Sequence, residues 1–397
     1  MKIAVTGMGM ISSIGMTVEE NLQSLMAKKP GIFRLKNLNS RLKEKIKVGE
    51  VSLTNDELIE RLKLSEDNNY SRTAMLAQVA AKEAMQGIDL KKKPEFKTGL
   101  ISATSVGGMD MTEKNYNHGS GPTEECKKYV TAHSLADATN KVAASLGIKD
   151  FVTTISTACS SSANAIMLGA RMIKAGELDR VVVGGSDCLS KFTMNGFNTL
   201  MILSDDDCRP FDRDRKGLNL GEAAAFLVLE SERVVKEEGR KPLAYVSGYA
   251  NANDAFHQTA SSENGEGATL AMRHALRMSG LNSGEIDYIN AHGTATPNND
   301  LSESKAILRV FGASIPMISS TKAFTGHTLA AAAGVEAVYS ILAIQNDLIL
   351  PNLNFENPIV ETGIIPETRV KKMKLNHVLS NSFGFGGNCS TLIFSAS

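Results

Sequence analysis

The sequence carries no net charge: Lys plus Arg number 43 and Asp plus Glu number 43 among 397 residues. A global basic field for nucleic acid is therefore missing, and any charged partner must meet a local patch. Zero net charge together with 42 % apolar residues is the opposite of a disordered composition. Cysteine is scarce and scattered: the five, at 126, 159, 188, 208 and 389, form no CxxC pair. That argues against a disulfide framework or a zinc site and for reduced thiols. No long hydrophobic run is present. The longest with helix-forming content, Thr328 to Leu342, is interrupted by Glu336 and falls about five residues short of a bilayer span. Met1 to Val5 runs straight into Gly7 without a signal-peptide cleavage pattern, so a cytoplasmic location and no membrane are expected. No GxxxxGKS/T phosphate loop occurs, and Gly7-Met8-Gly9 lacks the third glycine of a dinucleotide fingerprint.

What is present is an alternation of β-rich apolar runs and helical patterns, which favours sheets covered by helices. Lys2 to Val5 reads as a strand, with Gly7-Met8-Gly9 as a turn after it. Residues 28 to 66 read as an irregular surface excursion. Helix 71–86, strand 99–104 and Gly107-Gly108 resemble helix 268–278, strand 286–290 and Gly293. Strand 152–156, Cys159 and a small-residue helix resemble strand 316–319, His327 and another such helix. An internal duplication is expected. The Ala-rich helices 71–86 and 328–345 suit positions sandwiched between two sheets.

Four segments can carry chemistry. In Thr157-Ala158-Cys159-Ser160-Ser161-Ser162 a strand leads in and a helix leads out, which sets the Cys159 thiol at a helix N-terminus. There the dipole and free N–H groups favour a thiolate and can hold an oxyanion. The competing reading is a buried structural cysteine in a tight packing turn. Ala291-His292-Gly293-Thr294-Ala295-Thr296-Pro297 puts a histidine at a strand end, with Asp300 and Glu303 one helical turn apart behind it. A satisfied structural histidine and an ordinary acidic first turn are the alternatives. Ser319 to His327 sets Lys322 and His327 in a loop that opens onto an Ala-rich helix, whose N-terminal potential keeps the imidazole neutral; a helix cap by Thr325 with a merely solvated His327 is the alternative. Asn381 to Asn388 is glycine-rich, with Phe383 and Phe385 at alternate positions; a hairpin turn is the alternative. One Cys, two His and a Lys form a coherent set for thioester chemistry. A Cys-His protease would need neither the second His nor the Lys.

These residues resemble the elongating β-ketoacyl–acyl carrier protein synthases, thiolase-fold condensing enzymes. The likeness runs in order through IAVTGMGMISSIG (3–15), STACSSS (156–162), RPFDRDRKG (209–217), NDAFHQT (253–259), AHGTATP (291–297), SSTKAFTGH (319–327) and SNSFGFGGN (380–388). It implies a five-layer αβαβα fold of two duplicated halves, expected at 1–240 and 241–397, and a homodimer paired through strands across the two-fold axis. It implies Cys159 as acyl-accepting nucleophile and His292 with His327 as the pair that promotes malonyl decarboxylation. Lys322 would be their charged support, with Glu303 its partner and Asp300 at the family's acidic position. Thr294, Thr296 and Thr259 fall where the phosphopantetheine arm binds, and Val106 where the acyl pocket is lined. Phe383 would be the gating aromatic, its N–H and that of Cys159 forming the oxyanion hole, and the helix terminus would lower the Cys159 pKa. Both acyl groups would arrive on an acyl carrier protein, with no resident cofactor or metal. The Cys-His-His set separates this elongating type from Cys-His-Asn initiating enzymes.

A polyketide or aryl-polyene-like ketosynthase fits the same motifs. A chain-length factor would lack the Cys, and a thiolase would carry its second Cys in a Cys-x-Gly pattern that Cys389 does not match. Departures from the family pattern fall at Ala295, Asn298-Asn299, Ala223 to Ala225 and Asn388-Cys389. Tryptophan is absent, and residues 110–150 and 188–208 are where the family shapes its acyl pocket and dimer contact.

Overall fold

The computed structural model describes residues 2–65, 67–115 and 130–397. Cys126 and part of the 110–150 segment lie outside the described residues. Ten strands form the main sheet: β1 Ile3–Ser12, β2 Thr98–Ala103, β3 Phe151–Ile155, β4 Arg180–Asp187, β5 Ala223–Glu230, β6 Ala244–Asn253, β7 Tyr288–Asn290, β8 Met317–Ser319, β9 His377–Gly384 and β10 Asn388–Ser395. Their spatial order is β8-β7-β9-β10-β6-β1-β5-β4-β2-β3. The halves have one topology, since adding five to each strand of β1-β5-β4-β2-β3 gives β6-β10-β9-β7-β8. Directions agree as well: in each half the first strand pairs antiparallel with the last and the last antiparallel with the fourth, and the other pairings are parallel. The halves join where Ile3, Ala4 and Val5 pair antiparallel with Val246, Tyr245 and Ala244.

The main helices are α1 Arg72–Ala84, α2 Leu135–Leu146, α3 Ser161–Lys174, α4 Lys191–Thr199, α5 Glu266–Ser279, α6 Pro297–Phe311 and α7 Ala332–Asn346. Helices α1 and α2 cover the outside of one half, and α5 and α6 the outside of the other. Between the halves lie α3, against β4 and β10, and α7, against β5 and β9. This is the five-layer thiolase-like arrangement. Helix 71–86 is thus not sandwiched between two sheets, contrary to the reading of its alanines. It is an outer helix whose second face is buried by α2 and by helix Asn55–Leu62.

The central pair explains the small residues. A Cβ at Gly169 would lie 2.5 Å from the Val183 side chain, and one at Gly334 would lie 3.0 Å from Ala225 O, so at both points the helix approaches the sheet too closely for a larger residue. Every residue from Ala332 to Ile344 is buried. Each Val, Leu or Ile among them contributes about 1.5–3 kcal/mol by burial. With its preceding turn this helix runs Leu329–Asn346, 18 residues, longer than the apolar run suggested. By length and composition alone it is apolar enough to cross a bilayer, yet it lies in the centre of the fold.

Two further expectations fail for physical reasons. Gly7 and Gly9 do not turn the chain but lie within β1, because a Cβ at either would sit 2.2 Å from the carbonyl oxygens of Ala84 and Ala80. The glycines let α1 rest on the strand. Residues 28–66 also contain a helix, Asn55–Leu62, begun by a reciprocal Thr54/Glu57 capping box that the sequence displays.

Candidate active site

Cys159 lies in the turn between β3 and α3. Ala158 there has φ 51°, and the thiol is only 6 % exposed. The Ser160 hydroxyl does not cap α3; it turns away to Thr157 O at 2.7 Å and Asn388 Oδ1 at 2.6 Å. Burial pushes the Cys159 thiol up to about 11. The Lys322 charge and the backbone N–H groups of Phe385 and of Cys159 itself oppose the rise. The donors at the start of α3 favour a thiolate, and burial opposes them.

The two imidazoles meet edge to face with ring centroids 5.4 Å apart, each 2 % exposed. His292 ends the run after β7, and its ring also meets Phe383 at 5.7 Å. His327 lies between the short helix Lys322–Thr325 and the turn that begins the 329–346 helix. Burial first, then the Lys322 charge, holds both rings well below the ordinary histidine value; each is neutral at neutral pH. The Leu329 N–H donates to His327 Nδ1 at 3.1 Å. His327 therefore carries its hydrogen on Nε2 and is a donor there. His292 Nδ1 is buried and, among the described residues, has no hydrogen-bond partner, so no such contact fixes its tautomer.

The acidic residues are distributed differently from the sequence expectation. Lys322 is buried and pairs with Glu336 of α7, not with Glu303. The other Glu336 oxygen accepts from the Ser382 hydroxyl at 3.2 Å. Glu303 instead holds the histidine loop, accepting from the backbone N–H groups of His292 at 2.9 Å and Gly293 at 2.8 Å and from Asn381 Nδ2 at 3.2 Å. Burial lifts its carboxyl to about 7 against those donors. Asp300 accepts from the N–H groups of Ala295 at 3.1 Å and Phe211 at 2.8 Å, which ties the threonine loop to the 209–211 segment. Neither carboxylate belongs to an exposed first turn; both are buried on α6. That helix was legible in Thr296-Pro297, an N-cap followed by proline at the first helical position.

Two cavities meet at Cys159. One, about 320 Å³, is lined by His292, His327, Thr294, Thr296, Thr259 and Asn298 among others. Its rim is clasped by Asn298, which accepts from the Ser261 N–H at 2.8 Å and donates to Ser261 O at 3.1 Å. The other, about 420 Å³, is almost wholly apolar and includes Val106, Phe192, Leu200 and Leu329. Phe197 of α4 and Phe385 stack at 5.8 Å and border both cavities. The aromatic at the junction, with its N–H at the thiol, is thus Phe385, whereas Phe383 had been expected there. Phe383 belongs to β9 and packs on His292; the chain leaves the strand at Gly384, beside the Cys159 N–H, and carries Phe385 over the thiol. Sequence reasoning also missed Asp187. This buried carboxylate accepts from Thr104 and Ser105 hydroxyls at 2.5 Å, from the Val106 N–H at 3.2 Å and from the Ala330 N–H at 2.9 Å. Its place at the end of β4 after Gly184-Gly185 was the available signal.

Among the described residues no cluster of His, Cys, Asp and Glu is arranged to hold a metal ion. A buried thiol, two neutral imidazoles and a buried Lys–Glu pair at the junction of a polar and an apolar cavity define a site for acyl transfer on a thiolase-like fold. Comparison with known proteins gives the same class. Residues 1–234 match the β-ketoacyl synthase N-terminal domain and residues 243–356 its C-terminal domain. The chain is 31 % identical over 412 aligned positions to 3-oxoacyl-(acyl-carrier-protein) synthase 2 of Vibrio cholerae, covering 99 % of this chain and 98 % of the relative. It is 32 % identical to the enzyme of that name from Coxiella burnetii, with the same coverage. Among solved structures, the ishigamide ketosynthase/chain length factor superposes with a TM-score of 0.92 at 29 % identity, covering 100 % of this chain and 99 % of that one. The ketosynthase ApeO in complex with its chain length factor ApeC, from Xenorhabdus doucetiae, gives 0.86 at 31 % identity, covering 100 % and 98 %. The chain belongs to the β-ketoacyl synthase family, of the type II kind, and is an acyltransferase.

Proposed function

We propose that this chain is a 3-oxoacyl-(acyl-carrier-protein) synthase that elongates fatty acyl chains by decarboxylative condensation. The Cys159 sulfur attacks the thioester of an acyl group brought on the phosphopantetheine of an acyl carrier protein; an acyl–cysteine thioester forms and the pantetheine thiol leaves. Because the resting thiol is protonated, its proton passes on attack to the neutral imidazole of His292 in the same cavity and from there to the departing pantetheine sulfur, which leaves as the thiol and returns the ring to its neutral form. Malonyl carrier then enters along Thr259, Thr294 and Thr296. Loss of carbon dioxide leaves an enolate, whose oxygen receives hydrogen bonds from His327 Nε2–H and from His292. Its carbon attacks the acyl–Cys159 carbonyl, where the N–H groups of Cys159 and Phe385 receive the oxyanion. Collapse releases the β-ketoacyl carrier and the Cys159 thiolate, which takes a proton from water to regain its resting thiol. Each such donor is typically worth about 3 kcal/mol. Burial and then the Lys322 charge keep both rings uncharged, each with one N–H to donate. Both acyl units stay on phosphopantetheine, so the cycle uses no resident cofactor, and a cytoplasmic homodimer is the state in which we place it.

The observation that carries this reading is the position of Cys159 where the polar and apolar cavities join, one suited to a pantetheine arm and the other to an acyl chain. A second reading, condensation in a dedicated polyketide or aryl-polyene-like pathway, draws on the likeness to the two ketosynthases that occur with chain length factors. Intact-protein mass spectrometry after incubation with acyl carriers of short, long, saturated and polyunsaturated chains separates the two. Cys159 adducts from saturated chains of many lengths support fatty-acid elongation. Adducts only from conjugated chains support the second reading. Adducts from acyl coenzyme A alone overturn both.

A further inference from the structure

Asn388 begins β10 in the second half of the molecule, yet its side chain ends in the nucleophile turn of the first. Its Oδ1 accepts from Ser160 Oγ at 2.6 Å, from Asn164 Nδ2 at 2.9 Å and from Asn251 Nδ2 at 2.7 Å. Asn164 Nδ2 spends its other hydrogen on Thr157 Oγ1 at 2.7 Å, while its Oδ1 receives the Ser390 hydroxyl at 3.1 Å. Asn251 Nδ2 also reaches Ser390 Oγ at 2.9 Å. One oxygen thus gathers donors from α3, β6 and the residue directly after Cys159.

Ser160 is the residue at which α3 starts, where a serine hydroxyl ordinarily folds back to cap the helix. Here no such cap forms, because the hydroxyl, wholly buried, is shared between Thr157 O and Asn388 Oδ1. Turning it away leaves the Ser160 oxygen out of the space at the start of α3 and clamps both ends of the turn, Thr157 and Ser160, around Ala158 and Cys159. The strained Ala158, at φ 51°, sits inside that clamp. We infer that Asn388 is a positioning residue for the Cys159 nucleophile, reaching it through Ser160 and, by way of Asn164, through Thr157. It does so from the one strand that begins directly after the Phe385-to-Gly387 turn, so the turn that supplies an oxyanion donor and the residue that sets the thiol are registered by the same few atoms of chain.

This inference rests on Cys159 as the nucleophile, and its test uses a probe that is indifferent to the acyl substrate. Alkylation of Cys159 by iodoacetamide, followed by mass spectrometry of the whole protein, is compared for wild type, Asn388→Ala and Asn388→Asp. Malonyl decarboxylation is measured in parallel in a Cys159→Gln background with and without Asn388→Ala, since that step depends on the histidines. The expected result is a fall of about tenfold in alkylation rate for Asn388→Ala, with decarboxylation within twofold. Asn388→Asp, which keeps the acceptor oxygen, regains most of the rate at a profile moved to higher pH by its charge. Alkylation within twofold of wild type for Asn388→Ala overturns the assignment. So does a parallel loss of alkylation and decarboxylation, which would mark a general structural role. Failure of the carrier-protein reading is distinguishable: it would abolish malonyl decarboxylation in the Cys159→Gln background with and without Asn388→Ala alike, while the alkylation comparison would still decide the assignment.

Discussion

The turn after β3 and the turn after β8 occupy equivalent places in two copies of one topology, and they hold different chemistry. The first carries Cys159 and opens toward Val106, Phe192 and Phe197. The second carries Lys322 and His327 and faces the threonines and asparagines of the other cavity. The loops after β2 and β7 show the same contrast under the same architecture. Each is pinned by one buried carboxylate that accepts backbone N–H groups, Asp187 for residues 105–106 and Glu303 for residues 292–293. Two equivalent strand ends thus carry different side chains: an apolar surround beside Cys159 in one half, and imidazoles with a buried Lys–Glu pair in the other. The proposed cycle would use both, because an acyl thioester is best held dry while an enolate must be hydrogen-bonded.

The largest effect that sharpens this contrast is expected from Cys159→Gln. Condensation should vanish while malonyl decarboxylation, a property of the other half, persists or rises, as followed by carbon dioxide release. Persistent condensation would remove Cys159 from its role. Next comes His327→Ala, which should depress decarboxylation by about 10²-fold, the usual worth of one such donor. Acyl transfer to Cys159, measured by mass spectrometry, should survive; equal loss of both would dissolve the division between halves. Glu336→Gln strips one partner from a buried ion pair, and urea unfolding should register a loss of about 3–5 kcal/mol. A change under about 1 kcal/mol would mean that the pair is not closed in solution.

The smallest effect at neutral pH, and the most direct test of the thiol, is its titration. A thiol held near 11 rather than 9.0 is protonated at pH 7, with about one part in 10⁴ as thiolate. Alkylation should climb about tenfold per pH unit and level off only near 11. The folded state keeps this proton while an unfolded chain releases it above about 9, so this group's contribution to stability declines as pH rises from 9 toward 11. A plateau below pH 9 would show that the helix terminus prevails over burial after all.

Much of this was legible in the sequence, for identifiable reasons. Cys159, His292 and His327 each stand between a short β run and a helical pattern, and that local grammar survives folding. The duplication was readable because it preserves the order of strand, glycine turn and helix. What escaped was set by distance or by close approach. Lys322 finds Glu336 one turn inside α7, 14 residues away; the sequence shows Glu336 as a break in an apolar run but nothing in it names the partner. Phe383 and Phe385 differ only in which lies on β9 and which lies past Gly384, and no alternation pattern marks where a strand stops. Gly7 and Gly9 look like a turn until α1 is seen to rest on them.

The carboxylate of Glu336 also bears on where this helix can lie. It sits near the middle of Leu329–Asn346, the segment of the described residues that is long and apolar enough to enter a bilayer. On insertion scales an ionised residue at mid-helix costs about 2.5–3.5 kcal/mol, enough to offset several leucines. The group that neutralises Lys322 therefore raises the cost of placing this stretch in a bilayer. The counter-ion of the active site is thus also what makes an otherwise lipid-compatible helix better suited to the centre of the fold, where its charge has a partner.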